Sequence, residues 1–402
     1  MDDHNRAFES IGQAGVGPND EGETTEYFLH LTPEKVLEAV DAGGLETRPV
    51  CYPLASFENR VYEVELADRS RIVAKFYRPG RWSREQILEE HALLAELDDD
   101  ELPICAARPF PDGETLHQRD GLHYALWDRR GGRAPDELSH DLAIRLGMLI
   151  GRMHATGARH EFAQRPRLDA DRYVRRQVAF LVRERQIPRP FEARYRRAAE
   201  GIADIADAEL LGLETLRLHG DLHLGNILLR DDRLRLLDFD DACSGPAVQD
   251  LWLAIPGRDT HSERLRASLV EGYERFRIFD HSQLRLVEVL RGLRLVRYCG
   301  WLARRREDPA FKRGWPHFGT EDYWQQETAD LEEQLDIIKR RPRSTDAAFS
   351  PGLGTPGEKA GEKAASVEKA FSPGLGTPGA EPSLDAEEPL TNKDYFWDWP
   401  GD

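Results

Sequence analysis

The stretch Arg217–Ala242, RLHGDLHLGNILLRDDRLRLLDFDDA, decides the fold. It sets His219, Asp221, His223, Asn226, Asp238, Asp240 and Asp241 among leucines. A carboxylate brought toward an apolar core costs free energy unless a cation meets it. Either the segment is a charged hairpin at a surface, or its carboxylates converge on a cation. NILLR and RLRLLDF, separated by the turn DD, predict two short strands. Asp221 then lies in the loop before the first strand, and Asp238 at the end of the second.

That placement has a chemical logic. Phosphoryl transfer to a hydroxyl needs a carboxylate near the attacking oxygen, metal ions bridging the phosphates, and a cation on the remaining phosphate charge. Asp221 is placed to orient or deprotonate the hydroxyl. Asn226 offers an amide oxygen and Asp238 a carboxylate, hard oxygen donors that suit Mg²⁺ completed by phosphates and water. His219 and His223 read as hydrogen-bonding loop residues rather than metal ligands.

The cation comes from elsewhere. Of 55 basic residues only eight are lysines, and between Val36 and Phe311 there is one, Lys75, in RIVAKFYRP. Lysine is a compact point charge and arginine a planar fork, so they are not interchangeable at a tight anion site. A net charge of −18 argues against nucleic-acid binding. It leaves ATP open, because a local cationic pocket can form in an acidic molecule.

At 402 residues and 40% hydrophobic content, the chain has room for two or three domains of the usual size. No apolar run approaches the roughly 18–20 residues that span a bilayer, and the acidic, polar first residues do not read as a secretory signal. Four scattered cysteines read as reduced thiols. The expectation is a cytoplasmic monomer with neither nucleic-acid nor membrane partners.

Residues 1–30 form an N-terminal extension, with 1–26 read as disordered. TPEKVLEAVDAGG is a helix capped by Thr32. ENRVYEVEL and SRIVAKFYR alternate with period two about ADRS, a hairpin, and SREQILEEHALLAELDD is an amphipathic helix capped by Ser83. Short strands near AARPF and LHYALWD complete a small lobe over 31–130. From 131 to 340 helical patterns dominate, near 137–155, 171–185, 192–208, 247–254, 261–278, 282–306 and 321–340. The tail 341–402 carries AFSPGLGTPG twice, at 348–357 and 370–379, and reads as disordered. The fold class is α+β.

H-G-D-x-H-x-x-N with a downstream Asp resembles the catalytic and metal loops of the aminoglycoside phosphotransferase and choline kinase group of protein-kinase-like enzymes. SFENRVYEVE, VAKFYRPGRWSREQILEEH, GRMHATG, RLHGDLHLGNIL, GPAVQDLW, RYCGWLARR, DPAF and EDYW are similar to its bacterial stress response kinase A branch. The similarity runs from about Leu31 to Lys339. It implies a bilobal protein-kinase-like fold and an ATP- and Mg²⁺-dependent Ser/Thr protein kinase that protects cells under stress. A small-molecule kinase acting on an amino alcohol or aminoglycoside would use the same residues.

Carried over, the resemblance gives Lys75 the nucleotide phosphates. A helix glutamate about fifteen residues later pairs with it, Glu90 in preference to Glu89. Ser56 falls in a nucleotide-contacting loop, and the backbone of HYALWDRRGG, near Trp127, in the hinge that meets adenine. Asp221 becomes the proton acceptor, Asn226 and Asp238 the Mg²⁺ ligands, with Asp238 also counted as catalytic. DFDD stands where D-F-G is usual, and no activation segment follows. Asp240 and Asp241 are expected to be solvated or structural. With Lys75 as the one counter-charge, the empty carboxylate cluster is expected to be strained by like charge.

Overall fold

A computed structural model describes residues 28–54, 56, 58–308 and 311–341. The expectations for residues 1–27 and for the repeated tail lie outside the described residues.

Helix α1 (Pro33–Ala42) starts at a proline whose missing N–H needs no partner there. Strands β1 (Thr47–Leu54), β2 (Arg60–Leu66) and β3 (Arg71–Phe76) follow as antiparallel neighbours. The hairpin register pairs Lys75 with Val61 on one side and, across β6 (Leu122–Asp128), with Ala125 on the other. Lys75 therefore sits mid-sheet, with its backbone fixed from both sides. The short strands β4 (Ala107–Arg108) and β5 (His117–Arg119) both pair with β6.

Helix α2 (Arg84–Asp99) is set by a full capping box between Ser83 and Gln86. It packs Ile87, Leu93, Leu94 and Leu97 inward, and the same face carries Glu90 into the interior.

The second lobe is helical. It holds α3 (His140–Gly157), a π turn (Asp171–Arg175) leading into α4 (Arg176–Arg183), and α5 (Arg189–Leu210). After the catalytic segment come α6 (Val248–Ala254), α7 (Thr260–Tyr273), α8 (Val287–Arg305), the single turn α9 (Phe311–Gly314) and α10 (Glu321–Arg340). A Cβ on Gly147 would meet the Leu269 carbonyl oxygen at 1.9 Å, and one on Gly272 the Ile144 carbonyl oxygen at 1.9 Å. Glycine at those two crossings is what lets α3 and α7 approach so closely.

Between these helices lie two small ribbons. Strand β7 (Leu216–Leu218) pairs with β10 (Cys243–Gly245), and β8 (Ile227–Arg230) with β9 (Arg233–Leu236). Asp231 and Asp232 both take positive φ, the conformation a tight two-residue hairpin needs. The ribbons hold the two ends of the 217–242 stretch side by side. Among the described residues no helix is long and apolar enough to cross a membrane.

Candidate active site

The loop between β7 and β8 is built from buried polar groups. Asp250, fully buried on α6, accepts the backbone N–H groups of His219 and Gly220, each at 2.9 Å. His154 of α3 lies 3.0 Å from the same carboxylate, and Gln249 donates to the Gly220 carbonyl at 3.0 Å. His219 binds the Leu237 carbonyl oxygen through Nε2 at 2.7 Å and receives the Asp221 N–H on Nδ1. It is a brace, with one ring nitrogen occupied within the loop and the other tying the loop to the residue after β9. Gly220 has φ +83° and a Cβ there would lie 2.2 Å from the Asp241 carbonyl oxygen. The loop is thereby pinned against the DFDD turn.

Asp221 projects from this frame. Its carboxylate is bonded by the Arg294 guanidinium, with His223 Nε2 at 3.7 Å. Burial pushes its pKa up, but Arg294 and His223 outweigh that and hold it below the ordinary value. Asn226 donates its side-chain N–H to the Asp221 carbonyl at 2.9 Å, which leaves the amide oxygen as its remaining polar end. His223 is mostly buried, and burial depresses its pKa.

Lys75 approaches from the sheet. Its Nζ lies 3.1 Å from Asp238, 3.0 Å from Asp240 and 3.9 Å from Glu90. Burial alone would lower its pKa; the three carboxylates reverse this and hold it well above the ordinary value. The ammonium also lies 5.6 Å from the Trp127 ring centre. Of the two candidate glutamates, Glu90 faces Lys75. Glu89 instead accepts the backbone N–H groups of Ala163, Gln164 and Arg165 at 2.7–3.0 Å. Ser56 lies in the β1–β2 turn, where its Oγ accepts the Asn59 N–H at 3.3 Å.

The expectation of a like-charge cluster facing one lysine is not what the structure has. Arginines neutralise it. Arg165 donates to Glu90 at 2.6 Å, to the Gln86 carbonyl at 2.7 Å and to the Asp240 carbonyl at 2.6 Å, so it staples α2 to the DFDD turn. Arg81 meets Asp240 at 3.1 Å and Asp241 at 2.9 Å, and Arg297 completes Asp241. Burial raises the pKa values of both aspartates, yet Arg81 and Lys75 hold Asp240 down to about 2, and Arg297 and Arg81 hold Asp241 lower still. Neither is solvated.

Sequence reading missed Arg81, Arg165, Arg294, Arg297 and Asp250. A signal was present for two of them. In RGLRLVRYCGWLARR, Arg294, Arg297, Trp301 and Arg305 recur at spacings of three and four, one face of α8. That face reaches Asp221, Asp241 and, through Trp301 Nε1 at 2.7 Å and Arg305, Glu58 beside the β1–β2 turn.

Residues 51–287, more than half of the chain, match the family model described as phosphotransferase enzyme family. Stress response kinase A of Salmonella typhi is 39% identical over 316 residues, covering 78% of this chain and 96% of that protein. The Escherichia coli K12 protein of the same name is 38% identical over the same shares. A Salmonella typhimurium LT2 relative, also 39% identical over those shares, is named serine/threonine protein kinase RdoA. Among solved structures, amicoumacin kinase hAmiN in complex with AMP-PNP, Ca²⁺ and Ami is similar with a TM-score of 0.60. It is 19% identical, over 75% of this chain and 92% of that one. A microcompartment-associated aminopropanol kinase is similar at 0.56 and 19% identity, over 75% and 97%. Those two likenesses bear on fold, and the fold is bilobal and kinase-like. The family model and the curated relatives go further: the chain is a kinase of the stress response kinase A branch of the phosphotransferase enzyme family.

Proposed function

We propose that the chain transfers the γ-phosphoryl group of Mg–ATP to serine or threonine hydroxyls of proteins. The observation that carries this is the bridge from Lys75 to Asp238, formed across the two lobes. An ammonium already braced by Glu90 exchanges one carboxylate for phosphate oxygens when nucleotide enters. The protein acceptor is supported by the relatives, one of which, matched over 96% of its length, is named a serine/threonine protein kinase.

In this reading Asp221 accepts the acceptor hydroxyl's hydrogen bond and then its proton, while Arg294 fixes the direction of the carboxylate. Asn226, through its amide oxygen, and Asp238, whose side chain is 54% exposed, are the hard oxygen donors that would hold Mg²⁺. The metal supplies charge neutralisation across the phosphates. Ser56 and the backbone after β6 line the nucleotide side. The reading includes a monomer working in the cytoplasm.

The test is phosphate transfer by the purified chain from labelled Mg–ATP, offered a general Ser/Thr protein substrate and an amino-alcohol panel in parallel. Label on protein serine or threonine is expected. Label on an amino alcohol with none on protein would refute the reading.

A further inference from the structure

Beyond the carboxylate cluster, α8 continues outward past two arginines that have no carboxylate of their own. Arg172, in the π turn, is half-buried with its guanidinium 5.4 Å from the Trp82 ring centre, and forms no ion pair among the described residues. Arg304 lies 4.1 Å over the Phe180 ring and donates to Gln177 at 2.6 Å and to the Gly300 carbonyl at 2.9 Å. It too forms no ion pair among the described residues. Burial and the field of Arg297 hold the Arg172 pKa below the ordinary arginine value. Burial, then Arg183, Arg172 and Arg297, do the same for Arg304. These guanidinium groups therefore act on one another.

Contacts line Arg297, Arg172, Arg304 and Arg183 up in a row. Arg297 lies 4.7 Å over the ring of Tyr173, the residue next to Arg172. Gln177 links the Arg172 carbonyl to the Arg304 guanidinium, and Arg304 and Arg183 lie over the same Phe180 ring at 4.1 and 5.6 Å. Asp241 serves Arg297 but is shared with Arg81, and among the described residues the ion pair of Arg183 is with the adjacent Glu184, at 2.9 Å. A pocket of about 490 Å³ opens at its outer end, between Phe180, Gln186, Ala303 and Arg304. Two glutamates stand on its rim, and each is already held, Glu184 by Arg183 and Glu307 by Arg306 at 3.3 Å. Arg172 and Arg304 thus add positive charge with no carboxylate to offset it, which opposes folding and attracts ligands of the opposite sign. In a chain of net charge −18 such a row stands out against its own surface.

We propose that this row recognises acidic side chains flanking the hydroxyl of a protein acceptor. The inference rests on the protein-kinase reading and names its substrate class. Arg294, on Asp221, and Arg304 are ten residues apart on α8, or roughly 15 Å along the helix. An extended peptide covers that span in roughly four to five residues. The acidic residue is thus expected about four to five positions from the phosphorylated one.

The experiment uses the full chain and synthetic peptides built around one serine, with Glu, Gln or Lys at those positions on either side. The same Mg–ATP reaction runs beside an amino-alcohol panel. The Glu peptides are expected to exceed the Gln peptides about fivefold in kcat/KM for each well-placed carboxylate. The Lys peptides should fall below both, and the spread should narrow as salt rises. Arg172→Glu with Arg304→Glu should reverse the order and gain on the Lys peptides, a result that misfolding cannot produce. Peptides phosphorylated equally well whatever their charge, or an order the double variant does not change, would overturn the inference and leave the protein-kinase reading standing. Phosphate on an amino alcohol and on no peptide would overturn both.

Discussion

The carboxylates of the site divide into two pairs. Asp221 and Asp238 each have, among the described residues, one close guanidinium or ammonium group, Arg294 and Lys75. Asp240 and Asp241 have two each, drawn from different parts of the chain: Lys75 and Arg81 for one, Arg81 and Arg297 for the other. The Asp238 side chain is 54% exposed and that of Asp240 is 4% exposed. Two positions apart in one turn, the same residue type serves opposite ends. An open carboxylate with a single cation can change partners when phosphate arrives. A closed one with two is a strut between the sheet, the turn and α8.

The comparison breaks first at Asp221. Asp221→Asn is expected to lower phosphoryl transfer by roughly 10²–10⁴-fold, the range for a positioned acid–base group, with folding and nucleotide affinity retained. Steady-state rates beside a nucleotide titration check this. A variant that turns over normally would move the base elsewhere.

Asp241→Asn should behave in the opposite sense. It strips the buried charge that Arg81 and Arg297 share, and removing one member of such a network costs about 3–5 kcal/mol. Denaturant unfolding should register that loss. If Asp241→Asn unfolds like the parent and is merely inactive, the division into strut and reactive group is wrong.

Lys75→Arg sharpens the boundary, because Lys75 touches members of both pairs. A planar guanidinium keeps the charge but not the point geometry among three carboxylates. Turnover should fall by roughly a hundredfold, the scale of a misplacement of about 1 Å. A wild-type rate would mean that the position asks only for positive charge.

What was legible in the sequence was local. The β2–β3 hairpin, the Ser83 capping box and the β8–β9 hairpin each carry their signal within a few residues, and each formed. Strand β1 carries no such signal. Pro49 and Pro53 interrupt TRPVCYPL, its residues are half-buried or exposed rather than alternating, and it is held at the sheet edge through a register shift. The three-residue strands β7 and β10 depend on distant partners, each other and, for Ser244, the 166–168 segment. The site divides in the same way. Asp221, Asn226 and Asp238 fall in one short stretch, whereas their arginine neighbours come from residues 81, 165, 294 and 297. In a chain this rich in arginine, composition could not single those four out. Lysine scarcity did single out Lys75.

The smallest expected effect tests the finest distinction, between adjacent glutamates of α2. Glu90 is buried against Lys75 and Arg165; Glu89 turns away and gathers three backbone N–H groups of the loop after α3. Glu90→Gln removes the charge that braces Lys75, and kcat/KM should fall roughly tenfold to a hundredfold. Glu89→Gln keeps an acceptor oxygen and loses only its charge. Its expected cost is about 1 kcal/mol of stability, the usual scale for one weakened hydrogen bond, with kcat within about twofold of the parent. Glu90→Gln also strips the buried partner of Arg165 and so loses stability as well; steady-state kinetics on the folded pair is what separates the two variants. The reverse pattern, an inactive Glu89→Gln beside an active Glu90→Gln, would mean that α2 turns in the working enzyme. Glu89 would then be the partner of Lys75, and the Arg165 staple would be a feature of the resting chain alone.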